Sequence, residues 1–170
     1  MKRNILFIMV DSLRADHCWG TQRRCETPTL DRLRRRVDDL SPVMRNIARL
    51  LESETEGNFQ NERGPGGAWP ALKPATVLDR LRKRYEGPML QRTGALVRSV
   101  GSAYGRDFAE VSVAQRTPGG RFSLGAIHQF GAPKRNIPPR PFLPVDAAGV
   151  LDAGMTDDIL DIIGQFLDTA

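Results

Sequence analysis

Cysteine, histidine and aromatic side chains are scarce in this sequence, and each scarcity removes a class of function. Among 170 residues there are two cysteines, Cys18 and Cys25, and two histidines, His17 and His128. Two thiols this close can pair, but one short loop is not the disulfide framework of a small secreted domain, and they read as free, incidental thiols. No Cys/His spacing matches a zinc site, and no cofactor is expected. Aromatic residues make up 6% of the chain, a poor supply for a platform on which bases stack. No helix-turn-helix, RNP or Cys/His-finger signature is present, so direct nucleic-acid recognition is disfavoured. No apolar run approaches the ~20 residues of a membrane span. The longest, Ile5 to Val10, holds six. Met1-Lys2-Arg3 before it mimics the opening of a signal peptide. Asp11 stops the run short of the roughly 7–15 apolar residues such a peptide needs, and no small-residue cleavage site follows. The expectation is a soluble protein made inside the cell, without a membrane segment.

What the sequence does have is enough apolar content, 40%, to bury a core in a chain of one-domain length, and 26% charged residues to solvate it. The charge is uneven. Residues 1–36 carry nine basic and four acidic side chains, and residues 37–141 carry sixteen and ten. Residues 142–170 carry six acidic side chains and no Lys or Arg. A basic body with an acidic tail suits nucleic acid, or head-to-tail stacking on copies of itself or on a partner of opposite charge.

Residues 3–10 read as a buried strand. Thr27-Pro28 opens a helix to about Asp39, with Thr27 as cap. Ser41-Pro42 opens another, whose apolar stripe Val43, Ile47, Leu50 and Leu51 runs toward Phe59. Residues 61–70, with three Gly and two Pro, form a loop in which Trp69 packs back on the core. Pro74, Val77, Leu78, Leu81 and Tyr85 mark a third helix with a basic face, broken at Gly87-Pro88. A short amphipathic segment follows Thr93-Gly94. Alternation over 108–114 predicts a strand, RTPGGR a turn, and 122–130 a second strand. Residues 131–144 are extended and proline-rich. Met155, Ile159, Ile162, Ile163 and Phe166 define a last helix, capped by Thr156. There are no internal repeats. The fold class is α+β, a small antiparallel sheet packed with amphipathic helices.

Two resemblances sit at the two ends. Lys2-Arg3-Asn4-Ile5-Leu6-Phe7-Ile8-Met9-Val10-Asp11-Ser12-Leu13-Arg14-Ala15-Asp16, with Thr27-Pro28-Thr29-Leu30-Asp31-Arg32-Leu33, resembles the start of sulfatases. In that family the aspartate ending the first strand binds a divalent metal beside a formylglycine nucleophile, which implies Asp11 as a metal ligand. The remainder of a sulfatase is missing. Neither cysteine begins a Cys/Ser-x-Pro/Ala-x-Arg motif. Ser112-Val113-Ala114-Gln115-Arg116 fits the loose pattern but comes too late and within an expected strand. One carboxylate does not make a catalytic metal site. A sulfatase-like hydrolase fragment, inactive as it stands, is the alternative reading.

From about Leu30 onward the chain resembles the virion morphogenesis or tail-completion proteins of Mu-like phages. The matching pieces come in that family's order. Leu40-Ser41-Pro42-Val43-Met44 comes first, and then Asn58-Phe59 before a Gly-rich loop ending Ala68-Trp69-Pro70-Ala71-Leu72. Leu90-Gln91-Arg92-Thr93-Gly94-Ala95-Leu96 and Ser99-Val100 follow. Ala126-Ile127-His128-Gln129-Phe130-Gly131 and Ile137-Pro138-Pro139-Arg140-Pro141-Phe142-Leu143 complete the set. The resemblance implies a non-enzymatic virion protein that finishes the tail and readies it to join the head, as a ring of like subunits. Its partners would be itself and other tail or neck proteins, and its place the virion, assembled in the host cytoplasm. Residues 1–26 then form a sulfatase-like strand and polar connection ahead of a tail-completion-like domain, 27–170. Trp69, Phe130, Pro139, Arg140, Pro141, Phe142 and Leu143 are the candidate contact residues. Gly94, His128 and Gly131 are candidate structural ones.

Overall fold

The structure, a computed structural model, describes residues 38–146 and 148–168. The strand expected at 3–10, the helix expected from Thr27, and Asp11, His17, Cys18 and Cys25 lie outside the described residues. Packing divides the chain between Asp38 and Asp39, and every element named below lies in the C-terminal unit.

The longest element is α1, Ser41–Asn61. Pro42 sits in its first turn, where a missing N–H costs nothing. Ser41, expected as the cap, is instead the first helical residue. Leu40 holds the cap position without a side-chain bond. The Asp39 carboxylate accepts the Ser41 N–H at 3.0 Å. The buried face is Val43, Ile47, Ala48, Thr55, Asn58 and Phe59, so it rotates away from Leu50 and Leu51, which are half-buried. Thr55 lies fully buried because its hydroxyl donates to the Leu51 carbonyl at 2.7 Å.

Helix α1 packs across an antiparallel hairpin, β3 (Val100–Tyr104) with β4 (Ala109–Val113), in the register Val100↔Val113 through Tyr104↔Ala109. Strand β4 follows the expected alternation. Strand β3 does not announce itself, since Gly101, Ser102 and Ala103 have little strand propensity. Its partner imposes it. Ser102 also donates its hydroxyl to Glu52 of α1 at 2.7 Å. A smaller hairpin, β1 (Arg63–Gly64) with β2 (Gly67–Ala68), occupies the loop that follows α1.

The strand expected at 122–130 is a helix, α3, Leu124–Phe130. The Ser123 hydroxyl accepts the Ala126 N–H at 3.2 Å and caps it. Its two buried residues, Gly125 and Gln129, are four apart on one face. Seven residues are too few for the helical period to show in sequence. Helix α2 covers Pro74–Arg82, ending before Tyr85. Helix α4, Ala153–Asp168, packs on α1 and starts a turn before the expected Thr156 cap. The Asp152 carboxylate accepts the Gly154 N–H at 3.0 Å and its carbonyl accepts the Thr156 N–H, so Asp152 does the capping. The described residues thus make four helices and two small antiparallel sheets, an α+β fold. Phe59, Trp69, Leu96 and Phe142 form a buried cluster of the core, flanked by Met89, Leu90, Val97, Val100, Val113, Leu124 and Leu143.

Candidate functional site

Residues 137–145 enter the protein as an arm with four prolines, and among the described residues only its two ends, Ile137 and Val145, make a β-bridge. A buried backbone must still satisfy its donors and acceptors. Here other residues supply what a strand would. The Arg140 N–H donates to the His128 carbonyl at 2.7 Å. Trp69 Nε1 donates to the Pro141 carbonyl at 2.7 Å. Gln129 Oε1 accepts both the Phe142 and the Leu143 N–H, each at 3.0 Å, while its Nε2 donates to the Val145 carbonyl at 3.1 Å. Asn58 Nδ2 donates to the Phe142 carbonyl at 3.2 Å. One amide side chain, Gln129, therefore spends three bonds on the arm.

The arm's anchor is Phe142, fully buried and stacked on Phe59 with centroids 4.8 Å apart. Phe59 in turn meets Trp69 edge-on at 6.0 Å. Two glycines allow the arm to come this close. A Cβ on Gly64 would lie 2.1 Å from the Pro141 carbonyl oxygen. Gly131 has φ +75°, and a Cβ there would meet the Pro139 nitrogen at 2.9 Å. The C-terminal end of α1 is tied into the same place. Gln91 Nε2 donates to the otherwise orphaned Phe59 carbonyl at 2.9 Å, and the Glu62 carboxylate accepts the Met89 N–H.

Arg140 is buried, and its guanidinium points at carbonyls rather than a carboxylate. Nε and Nη2 donate to the Pro70 carbonyl at 3.0 and 2.8 Å, and Nη2 reaches the Ala71 carbonyl at 3.2 Å. Burial lowers its pKa from the ordinary arginine value. His128 is half-buried nearby. Burial first, and the Arg140 charge second, hold its pKa below the ordinary imidazole value, which favours the neutral ring. Its Nδ1 has no hydrogen-bond partner among the described residues, so no described carboxylate or hydroxyl orients the ring through that nitrogen.

The candidate contact residues thus separate. Trp69, Arg140 and Phe142 are buried, Pro141 and Leu143 are half-buried, and Pro139 and Phe130 are exposed, Phe130 by 56%. Their burial gives Trp69, Arg140 and Phe142 a place in the frame of the monomer. Gly94, with φ +69°, and Gly131 hold backbone that other residues resist. Sequence reasoning assigned no role to Asn58, Gln91, Gln129 or Gly64. The first three lie inside the pieces that carry the phage resemblance, the only signal that could have found them. Among the described residues no group of three His, Cys, Asp or Glu could hold a metal ion. No described helix is long and apolar enough to cross a membrane.

Residues from several of the pieces quoted for the phage resemblance, Asn58, Phe59, Trp69, Gln129 and Phe142 among them, meet at one buried arm. This is a small α+β protein whose motif residues build a frame. The chain matches the phage virion morphogenesis family over residues 25–168 and belongs to it. It is 35% identical over 134 residues to the Mu-like prophage FluMu G protein 2 of Haemophilus influenzae, covering 74% of this chain and 83% of that one. It is 29% identical over 133 residues to the putative capsid assembly protein G of Escherichia phage Mu, covering 69% of this chain and 81% of that one. No solved structure matches.

Proposed function

We propose that this chain completes the phage tail and prepares it to join the head, as a ring of like subunits and without a catalytic step of its own. Family membership carries the assembly role. The convergence of the motif residues on a buried arm supports the finer reading. Their chemistry goes into fixing the monomer's shape, through amide, indole, guanidinium and carbonyl groups, and none of it forms a nucleophile–base pair among the described residues. The name of the phage Mu relative, a putative capsid assembly protein, agrees with a role among virion proteins. On this reading the protein is built in the host cytoplasm and leaves with the virion, and its partners are its own copies and other tail or neck proteins. The basic body and the acidic residues after Phe142 orient neighbouring subunits.

The test is a phage genome lacking this gene. Electron microscopy of the lysate is expected to show filled heads and separate tails, restored to joined particles by the gene supplied in trans. Normal joined particles from the deletion would contradict the proposal.

A further inference from the structure

Two helices carry exposed leucines and opposite charge. Helix α2 buries none of its residues. Leu78 and Leu81 are 55% and 69% exposed, and Val77 joins them. Beside Leu81 the surface dips into a cavity of about 620 Å³ lined by Ala71, Leu72, Val77, Tyr85 and Met89 among others. Arg80 and Arg84 line it together with Glu62 and Glu86, and the surrounding stretch 73–92 carries six basic side chains against two acidic ones. Lys83 pairs with Asp79 at 2.7 Å and the Arg80 guanidinium bonds the Gly87 and Pro88 carbonyls. The guanidinium groups of Arg82 and Arg84 are exposed and make no hydrogen bond to a described residue. Exposed leucines beside an apolar cavity mark a surface that binds something.

Helix α4 is its complement. It contains Asp157, Asp158, Asp161 and Asp168 and no Lys or Arg. It packs on α1 and buries Met155. Leu160 and Leu167, seven residues or two turns apart, point outward at 59% and 36% exposure. Asp157 and Gly164 fall on the same stripe, three before and four after Leu160, and Asp161 lies about 100° further round the helix, on the neighbouring exposed face.

We infer that the outer stripe of α4 in one copy docks on α2 and its cavity in the next, with Leu160 beside Leu81 and the aspartates facing Arg82 and Arg84. The inference rests on the ring reading above and names the surfaces that form it. The two surfaces differ and every copy has one of each, so the contact is head-to-tail and can close into a ring. A purely ionic partner such as DNA leaves the leucines unexplained.

The test is light scattering of the full chain across concentration, for wild type, Leu81→Asp and Leu160→Asp. Both positions are exposed, and unchanged urea midpoints verify that the variants fold. Wild type is expected to form closed oligomers. Each variant is expected to be monomeric, its self-association weakened at least about tenfold. An equimolar mixture of the two variants is expected to give dimers and nothing larger, because each keeps one intact surface. Wild-type-like assembly of either variant, or no dimer in the mixture, overturns this interface while leaving the ring. Wild type that stays monomeric overturns both, and tail completion is then judged by the deletion lysate alone. Salt-sensitive binding of duplex DNA that Leu81→Asp leaves unchanged in a monomeric protein would assign the basic face to nucleic acid and overturn the inference.

Discussion

Trp69 and Pro141, 72 residues apart, are joined by a 2.7 Å hydrogen bond from the indole N–H to the proline carbonyl. That bond links the hairpin after α1 to the proline arm. The same indole meets Phe59 edge-on, and Phe59 stacks on Phe142, so polar and apolar contacts fix the same joint. Proline stiffness contributes too. An arm already limited in conformation loses little entropy on docking.

Gln129 is the arm's principal clamp. Gln129→Leu keeps approximate volume and strands the Phe142 and Leu143 N–H groups and the Val145 carbonyl. With ~1–3 kcal/mol for each buried group left unpaired and partial relaxation of the arm, a loss of about 3 kcal/mol is expected. Urea unfolding monitored by tryptophan fluorescence measures it. A change below about 0.5 kcal/mol would mean the arm holds without the clamp.

Gly64 and Gly66 make a matched pair. Gly64→Ala drives a Cβ into the Pro141 carbonyl at 2.1 Å, whereas a Cβ on Gly66 meets nothing within 4 Å. Gly64→Ala is expected to lower stability by more than about 2 kcal/mol, and Gly66→Ala to leave it level or slightly raised. Equal effects at both positions would show that the hairpin does not touch the arm.

His128 makes stability depend on pH. Its folded pKa lies below the ordinary 6.5 because burial and Arg140 disfavour the charged ring. On acidification the unfolded chain takes up the proton first. The stability held above about pH 6.5 is therefore lost as pH falls toward the folded pKa. His128→Gln is expected to remove that component, so the wild-type midpoint falls by more than the variant's between pH 7.5 and pH 5. His17 is common to both chains and cancels. Parallel pH profiles would refute it.

Phe142 and Phe130 separate folding from contact. Phe142→Ala empties a fully buried site and is expected to cost ~3–5 kcal/mol. Phe130→Ser changes a ring that is 56% exposed and is expected to alter stability by less than about 0.5 kcal/mol. If Phe130 contacts a neighbour, that variant folds normally yet fails to complete tails. Normal particle yield would remove Phe130 from the contact surface.

Periodicity carried the parts of the fold whose local signal agrees with their packing. Helix α1, strand β4 and the inward turn of Trp69 follow from the stripe after Pro42, the alternation at 108–114 and one tryptophan in a Gly-rich loop. Strand β3 and helix α3 were hidden for different reasons. Val100–Tyr104 is a strand because Ala109–Val113 pairs with it. Leu124–Phe130 is a helix because Ser123 caps it and Gly125 lets it lie against Val113 and Phe142. The clamp was hidden more deeply. Asn58, Gln91 and Gln129 are polar residues that composition assigns to the surface. The burial of Asn58 and Gln129 and the half-burial of Gln91 are stable only because distant carbonyls and N–H groups of an irregular arm and a helix end need them. The resemblance supplied the pieces in order, and only the fold shows that they meet.

The most direct measurement is electron microscopy of particles made without this chain. If this chain completes the tail, filled heads lie beside separate, unfinished tails, and joining is restored when the wild-type chain is supplied. Complete, infectious virions in its absence would contradict it.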